Sequence, residues 1–160
     1  MDMSVEFDVK MTTGKMYDYM IRHTFTSFAG IVGELLGIVL VIGFFAYGQW
    51  PYLVAGIVCV FYQPVALYRR AAIQVRNNKV FAGPLHYRLD ESGITVTSGE
   101  DSDSMGWDRM YRAVSTSRSV IVYTNRVNAC IFPKEDMGDK KDTAIAIISA
   151  HMDPKQVNIR

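Results

Sequence analysis

Cysteine is scarce: the 160 residues hold only Cys59 and Cys130. One lies within a long apolar run and the other in a strand-like stretch far along the chain, so no disulfide is expected between them. There is also no CxxC and no Cys/His cluster of the kind zinc needs. The three histidines, His23, His86 and His151, are scattered. No glycine-rich phosphate loop is present, and no Ser or Cys nucleophile has a recognisable setting. Asp101-x-Asp103-x-x-Gly106 imitates the start of a calcium loop, but Arg112 stands where that loop requires a bidentate Glu, so the stretch reads as a solvated loop. Net charge is low, +1 from 17 Lys and Arg against 16 Asp and Glu, which implies no general attraction to nucleic acid. Repeats and low-complexity tracts are missing too. These deficits leave no catalytic residue, metal or cofactor to expect, and no enzymatic activity is anticipated.

What the chain does have is two long apolar runs. A helix needs about 20 mostly apolar residues to cross a hydrocarbon core of roughly 30 Å. Residues 24–47 meet this with one interruption at Glu34, and residues 50–68 carry no charge. Gly48 and Gln49 supply a turn, and Pro51 suits the first turn of the second helix. Tyr47, Trp50 and Tyr52 cluster at one end and Tyr68 marks the other, as interfacial aromatics do. A soluble helical hairpin of this length would show a polar face at helical spacing; none occurs between Leu35 and Val60. The turn has no basic residue, while Lys10, Lys15 and Arg22 precede the hairpin and Arg69, Arg70, Arg76 and Lys79 follow it. Both termini are therefore expected in the cytoplasm. A cleaved signal peptide is not expected, because the apolar run starts late.

Glu34 falls about ten residues into the first run, roughly 15 Å from its entry at 1.5 Å per residue. An ionised side chain at that depth costs several kcal/mol, so a neutral Glu34 or a locally wet crevice is expected. Ala29, Gly33 and Gly37 form a small-residue ridge, with Gly30 beside it, of the kind that lets helices approach closely. In an antiparallel hairpin Glu34 comes level with Tyr62 and Gln63. The pattern favours a polar clasp of Glu34, Tyr62 and Gln63, within the hairpin or across a dimer, over a proton relay.

Outside the hairpin the periodicity changes to that of strands. Val5, Phe7, Val9 and Met11 alternate on one face, and Thr12 or Thr13 can cap a helix that runs into the membrane. A lone strand needs a sheet, and the only candidate lies after residue 83. Strands are expected at residues 85–89 and 94–97, joined by the Asp90 to Gly93 turn. A polar loop follows at 98–104, then a strand opening at Trp107 that includes Met110, Tyr111 and Ala113. Further strands are expected at 119–124 and 127–132. Asp142 can cap a final helix with Ala144, Ile145, Ile147 and Ile148 as its apolar stripe. The organisation expected is residues 1–23 as a strand and short helix, 24–68 as the hairpin, 69–83 as a helical linker along the membrane surface, and 84–160 as a sheet domain.

That order of parts resembles the YcxB-like membrane protein family. The local matches are Pro84-Leu-His-Tyr87, Glu91-Ser-Gly-Ile94, Trp107-Asp-Arg-Met110 and Ile131-Phe-Pro-Lys134, and the resemblance extends over nearly the whole chain. It implies an α+β membrane protein: a two-helix transmembrane hairpin carrying a cytoplasmic, pleckstrin-homology-like antiparallel sheet closed by a C-terminal helix. The family brings no catalytic residues with it. Two departures, the acidic Glu100-Asp-Ser-Asp103 and Glu135-Asp136, argue against an anionic ligand at that corner, and the Glu91-Ser92-Gly93 turn has the wrong charge for a phosphoinositide. Arg69, Arg70, Arg76 and Lys79 suit anionic lipid headgroups, at about 1 kcal/mol each. Trp107 is expected in the core, with a partner-binding anchor as the alternative. The leading expectation is a bacterial-type inner-membrane protein, embedded in the lipid bilayer, whose domain binds a protein partner. The alternatives are a membrane-embedded immunity or inhibitor protein against a toxin, or a homo-oligomeric transporter or channel subunit assembled through the small-residue face.

Overall fold

The computed structural model describes residues 3–126 and 128–159; Val127, the expected start of one strand, lies outside them. Strand β1 (Val5–Val9) leads into helices α1 (Thr13–Phe25), α2 (Phe28–Tyr47) and α3 (Trp50–Asn77). Six strands follow: β2 (Leu85–Leu89), β3 (Gly93–Ser98), β4 (Asp101–Gly106), β5 (Arg112–Ser115), β6 (Ser119–Tyr123) and β7 (Ala129–Pro133). The chain closes with α4 (Lys134–Met137), α5 (Lys141–His151) and β8 (Val157–Asn158). The class is α+β.

Two four-stranded sheets form, in the orders β1-β2-β3-β4 and β7-β6-β5-β8. All pairings are antiparallel except β8, which runs parallel to β5. The alternation in β1 does what its period dictates: Val5, Phe7 and Val9 are buried while Glu6 and Asp8 are exposed. The strand finds its partner in β2, in register from Val5 opposite Leu89 to Val9 opposite Leu85. Every residue of β6 is buried. Val120 and Val122 enter the main core with Phe7, Tyr87, Phe132 and the α5 residues Ala144, Ile147 and Ile148. Ile121 and Tyr123 point the other way, into a smaller cluster beneath Tyr19 of α1.

Both α2 and α3 are long and apolar enough to cross a membrane. Their large side chains face outward: Leu35, Val39, Ile42 and Phe45 on α2, and Val54, Val58, Phe61 and Val65 on α3 are exposed. Between the helices Gly48 adopts the left-handed conformation (φ 64°), which glycine reaches at no steric cost, and its N–H closes the helix on the Phe44 carbonyl at 2.8 Å. The helices then pack through glycine on both sides. A Cβ at Gly56 would lie 2.9 Å from the Gly37 carbonyl oxygen and 2.7 Å from Val41 Cγ2; one at Gly37 would lie 2.8 Å from Val60 Cγ2.

Several sequence expectations need correcting. The first long helix does not begin at Thr24: α1 stops at Phe25, and α2 starts afresh behind Ser27, whose hydroxyl accepts from the Gly30 amide. The linker at 69–83 is no separate surface helix, because α3 continues unbroken to Asn77 and buries Ala71 in the domain core. The polar loop at 98–104 is largely strand β4. It lacks an apolar face because Thr95–Ser104 and Thr97–Ser102 hydroxyl pairs, at 3.0 and 3.2 Å, fill the solvated side of the hairpin. Trp107 opens a 3-10 turn, and the strand begins only at Arg112. Asp142 caps nothing; α5 starts one residue earlier, following a 3-10 turn.

The glycine seam gives a direct test. Gly56→Val places a branched side chain where the Gly37 and Val41 backbones already sit, and overpacking of this kind costs about 1–3 kcal/mol. The expected outcome is a lower unfolding midpoint for the full chain in detergent, whereas Gly83→Ala, which meets nothing within 4 Å, leaves it unchanged. Equal midpoints for the two variants would show that the helices are not packed this closely.

Candidate functional site

The polar contact inside the hairpin differs from the clasp expected of Glu34, Tyr62 and Gln63. Gln63 turns into the seam, and its side-chain amide donates to the Gly30 carbonyl at 3.4 Å. Gly33 leaves room for this, since a Cβ there would strike Gln63 Nε2. Tyr62 is 67% exposed and faces outward. Glu34 buries Oε1 with no hydrogen-bond partner. The helix-packing face is also redrawn. Ala29 is exposed, away from the seam, while Gly30 and Gly37 are buried. Gly30 serves the α1–α2 bend, where a Cβ would collide with the Thr24 carbonyl. Gly56 on the facing helix is the residue that a single-helix reading missed.

Arg69, Arg70 and Arg76 line the end of α3, and Lys79 follows in a 3-10 turn. All four are exposed, and none makes an ion pair among the described residues. Arg69 and Arg70 stand directly below the outward Val58, Phe61, Tyr62 and Val65, lining one groove with them.

Lys15 behaves differently from these arginines. Its ammonium contacts both Asp136 carboxylate oxygens at 2.7 and 2.8 Å, Glu135 at 3.1 Å and the Lys10 carbonyl at 3.0 Å. Glu135 and Asp136, the acidic pair that departs from the expected pattern, therefore clamp α4 to the start of α1. Burial pulls the Lys15 pKa down, but the hydrogen bonds to Asp136 and Glu135 outweigh it, and the net pKa lies above 10.5.

Trp107 is a core residue and not an exposed anchor. It is 9% exposed, its ring stacks on His151 at 5.4 Å, and its Nε1–H donates to the Asp90 carbonyl at 2.8 Å. The Asp90 side chain accepts from the Ser92 hydroxyl and amide, and this lowers its carboxyl pKa and fixes the β2–β3 turn. The histidines stay apart: His23 lies against Tyr19 and Tyr123, His86 meets Asp8 at 2.8 Å, and His151 lies under Trp107. Among the described residues no group of three His, Cys, Asp or Glu is placed to hold a metal ion. Cys130 is buried, and that burial pushes its thiol up to about 12, so it is a weak nucleophile at neutral pH.

Residues 89–147 match the family model described as YcxB-like protein. The matched segment runs from the last residue of β2 into α5, so the YcxB-like resemblance read from the sequence holds for most of the sheet domain. It takes in the turn at 91–94, the Trp107 segment and the Ile131 to Lys134 stretch. It does not reach Pro84-Leu-His-Tyr87 or the helical hairpin, and is narrower than the near-complete resemblance expected. No curated protein and no solved structure matches the chain.

The Lys15 clamp predicts a pH signature. Because its folded pKa is raised, its contribution to stability is fully present below about pH 10.5, the unfolded value, and is lost as pH rises through the folded pKa. Asp136→Asn should lower the unfolding midpoint at pH 7. The gap between wild type and variant should close as the pH is taken above 10.5. A gap independent of pH would mean that the loss comes from packing and not from the ion pair.

Proposed function

We propose that this chain is an integral inner-membrane protein, with a twice-crossing hairpin that carries a cytoplasmic, pleckstrin-homology-like domain, and that it acts by binding a protein partner, without catalysis. The observation carrying the membrane reading is the belt of outward apolar side chains on α2 and α3, which on α3 meets the exposed Arg69 and Arg70. Exposed apolar surface of this extent is costly in water and normal in lipid. Sheet pairing supports the topology independently. β1 precedes the hairpin and β2 follows it, yet they are hydrogen-bonded neighbours, so the chain must return to the side from which it left. The unpaired arginines then meet anionic headgroups. The pleckstrin-homology-like reading is supported by two sheets, antiparallel but for the short β8, and by the helix α5 that follows them.

The proposal is tested on native membranes. After alkaline carbonate washing the chain stays in the membrane pellet. Gln49→Cys, in the turn, is labelled from outside by an impermeant maleimide, and Glu91→Cys is not. Release by carbonate, or the reverse labelling, overturns the membrane reading.

For the partner, the best-suited surface is the outer edge of β4. Ser98 and Asp101 flank a two-residue turn and form a hydrogen-bonded pair, so the alternation of an antiparallel ladder turns the N–H and C=O of Ser102 and Ser104 outward. No backbone hydrogen bond from another described element reaches them. Such an edge accepts an added strand, and exposed Asp101 and Asp103 favour a basic one. A photoreactive side chain at Asp101 should cross-link a partner in membranes, and Ser102→Pro, which removes an outward N–H but spares the β3 ladder, should abolish the adduct. An adduct that survives the proline would count against strand addition.

A further inference from the structure

We propose that a cleft of about 380 Å³ between the start of α1, the β5–β6 turn and the end of β7 binds a phosphate-type oxyanion. Three independent features converge there. First, the N-terminus of α1 is open. Thr12 caps the Lys15 amide with its hydroxyl and the Met16 amide with its carbonyl, but the Thr13 and Gly14 amides have no acceptor among the described residues, and no acidic residue lies in the first turn. Unfilled amides and the helix dipole favour an anion at this position.

Second, Ser119 lines the cleft, is 1% exposed, and leaves its hydroxyl oxygen without any partner. Strand alternation puts this side chain on the face of β6 shared by Ile121 and Tyr123, the face that packs towards α1. A buried hydroxyl left unpaired costs about 1–3 kcal/mol, and an occupant of the cleft would relieve that cost.

Third, Arg118 and Lys134 keep unused donors while the acids are engaged. Asp136 and Glu135 are both held by Lys15, and Asp18 accepts from the Thr116 hydroxyl at 2.7 Å. Arg118 is exposed with no ion pair among the described residues. Lys134 spends one donor on the Thr116 carbonyl at 2.7 Å and keeps two. Lys15 thereby offsets one of the two carboxylate charges of the acidic pair that argued against an anion at this corner.

A soluble phosphate and a lipid headgroup share this chemistry, and the experiment separates them. The full chain is titrated in neutral detergent with inorganic phosphate, and in nanodiscs of phosphatidylcholine with and without phosphatidic acid, followed by the unfolding midpoint and by calorimetry. Saturable stabilisation is expected in at least one arm; the arm that responds identifies the source. Arg118→Gln should weaken binding about tenfold, as loss of one charged hydrogen bond does. Ser119→Ala supplies a readout that a purely structural serine would not give: without anion it melts no lower than wild type, because an unpaired hydroxyl is gone, yet it gains less from the anion. No saturable effect in either arm, or full retention of binding in both variants, overturns the site.

Discussion

Strands β1 and β2 pair along their full length although residues 10–84 lie between them. The rest of the architecture depends on this contact. The main sheet exists only if the polypeptide leaves for three helices and comes back to the strand it left. The hairpin is therefore an insertion between two neighbouring strands, not an appendage to a finished domain. Closing so long an excursion is entropically costly, though the cost grows only slowly with length. It is offset by burial of Val5, Phe7, Val9, Leu85, Tyr87 and Leu89 in one core.

The second constraint is the continuity of α3. Its upper part presents Val54, Val58, Phe61 and Val65 to the outside, whereas Leu67 and Ala71 are buried and Val75 packs on the core of the sheets. One helix thus belongs to both environments. Pro64 lies inside it, close to the change from the outward belt to the buried residues. α1 braces the arrangement from the other side: Tyr17 meets Tyr68 of α3 edge-on at 5.4 Å, Tyr19 lies against Tyr123 of β6, and Lys15 is clamped to α4. Hairpin and sheets are coupled through packed side chains, with no loose tether between them.

How much of this was legible in the sequence depends on how local each determinant is. The period-two burial of β1, the Gly48 turn and the Ala144, Ile147 and Ile148 face of α5 all follow from neighbours a few residues apart, and all read correctly. β4 did not, because its residues are polar on both faces and become a strand only through pairing with β3. β8 is two residues long and exists only because β5 offers an edge. Ser119 was invisible as a site residue, since nothing marks a serine at the start of an apolar strand until α1 is laid across it. Gly56 was missed because a close approach needs both helices in view. The cation that holds the acidic pair after Lys134 was missed for the same reason: Lys15 is distant in sequence.

Glu34 shows how the hairpin's own geometry limits its chemistry. Gln63 is the side chain of the facing helix that turns into the seam. It is already committed to the Gly30 carbonyl, and it occupies the space that Gly33 leaves open. That amide is an added donor to a carbonyl inside α2. Tyr62, the other candidate, points outward. The two long helices are otherwise apolar along the seam, with Val41, Gly56, Cys59 and Val60 meeting Gly37 and its neighbours. The hairpin thus closes with Glu34 Oε1 buried and without a hydrogen bond, so its packing rests on the glycine seam and not on that carboxyl group.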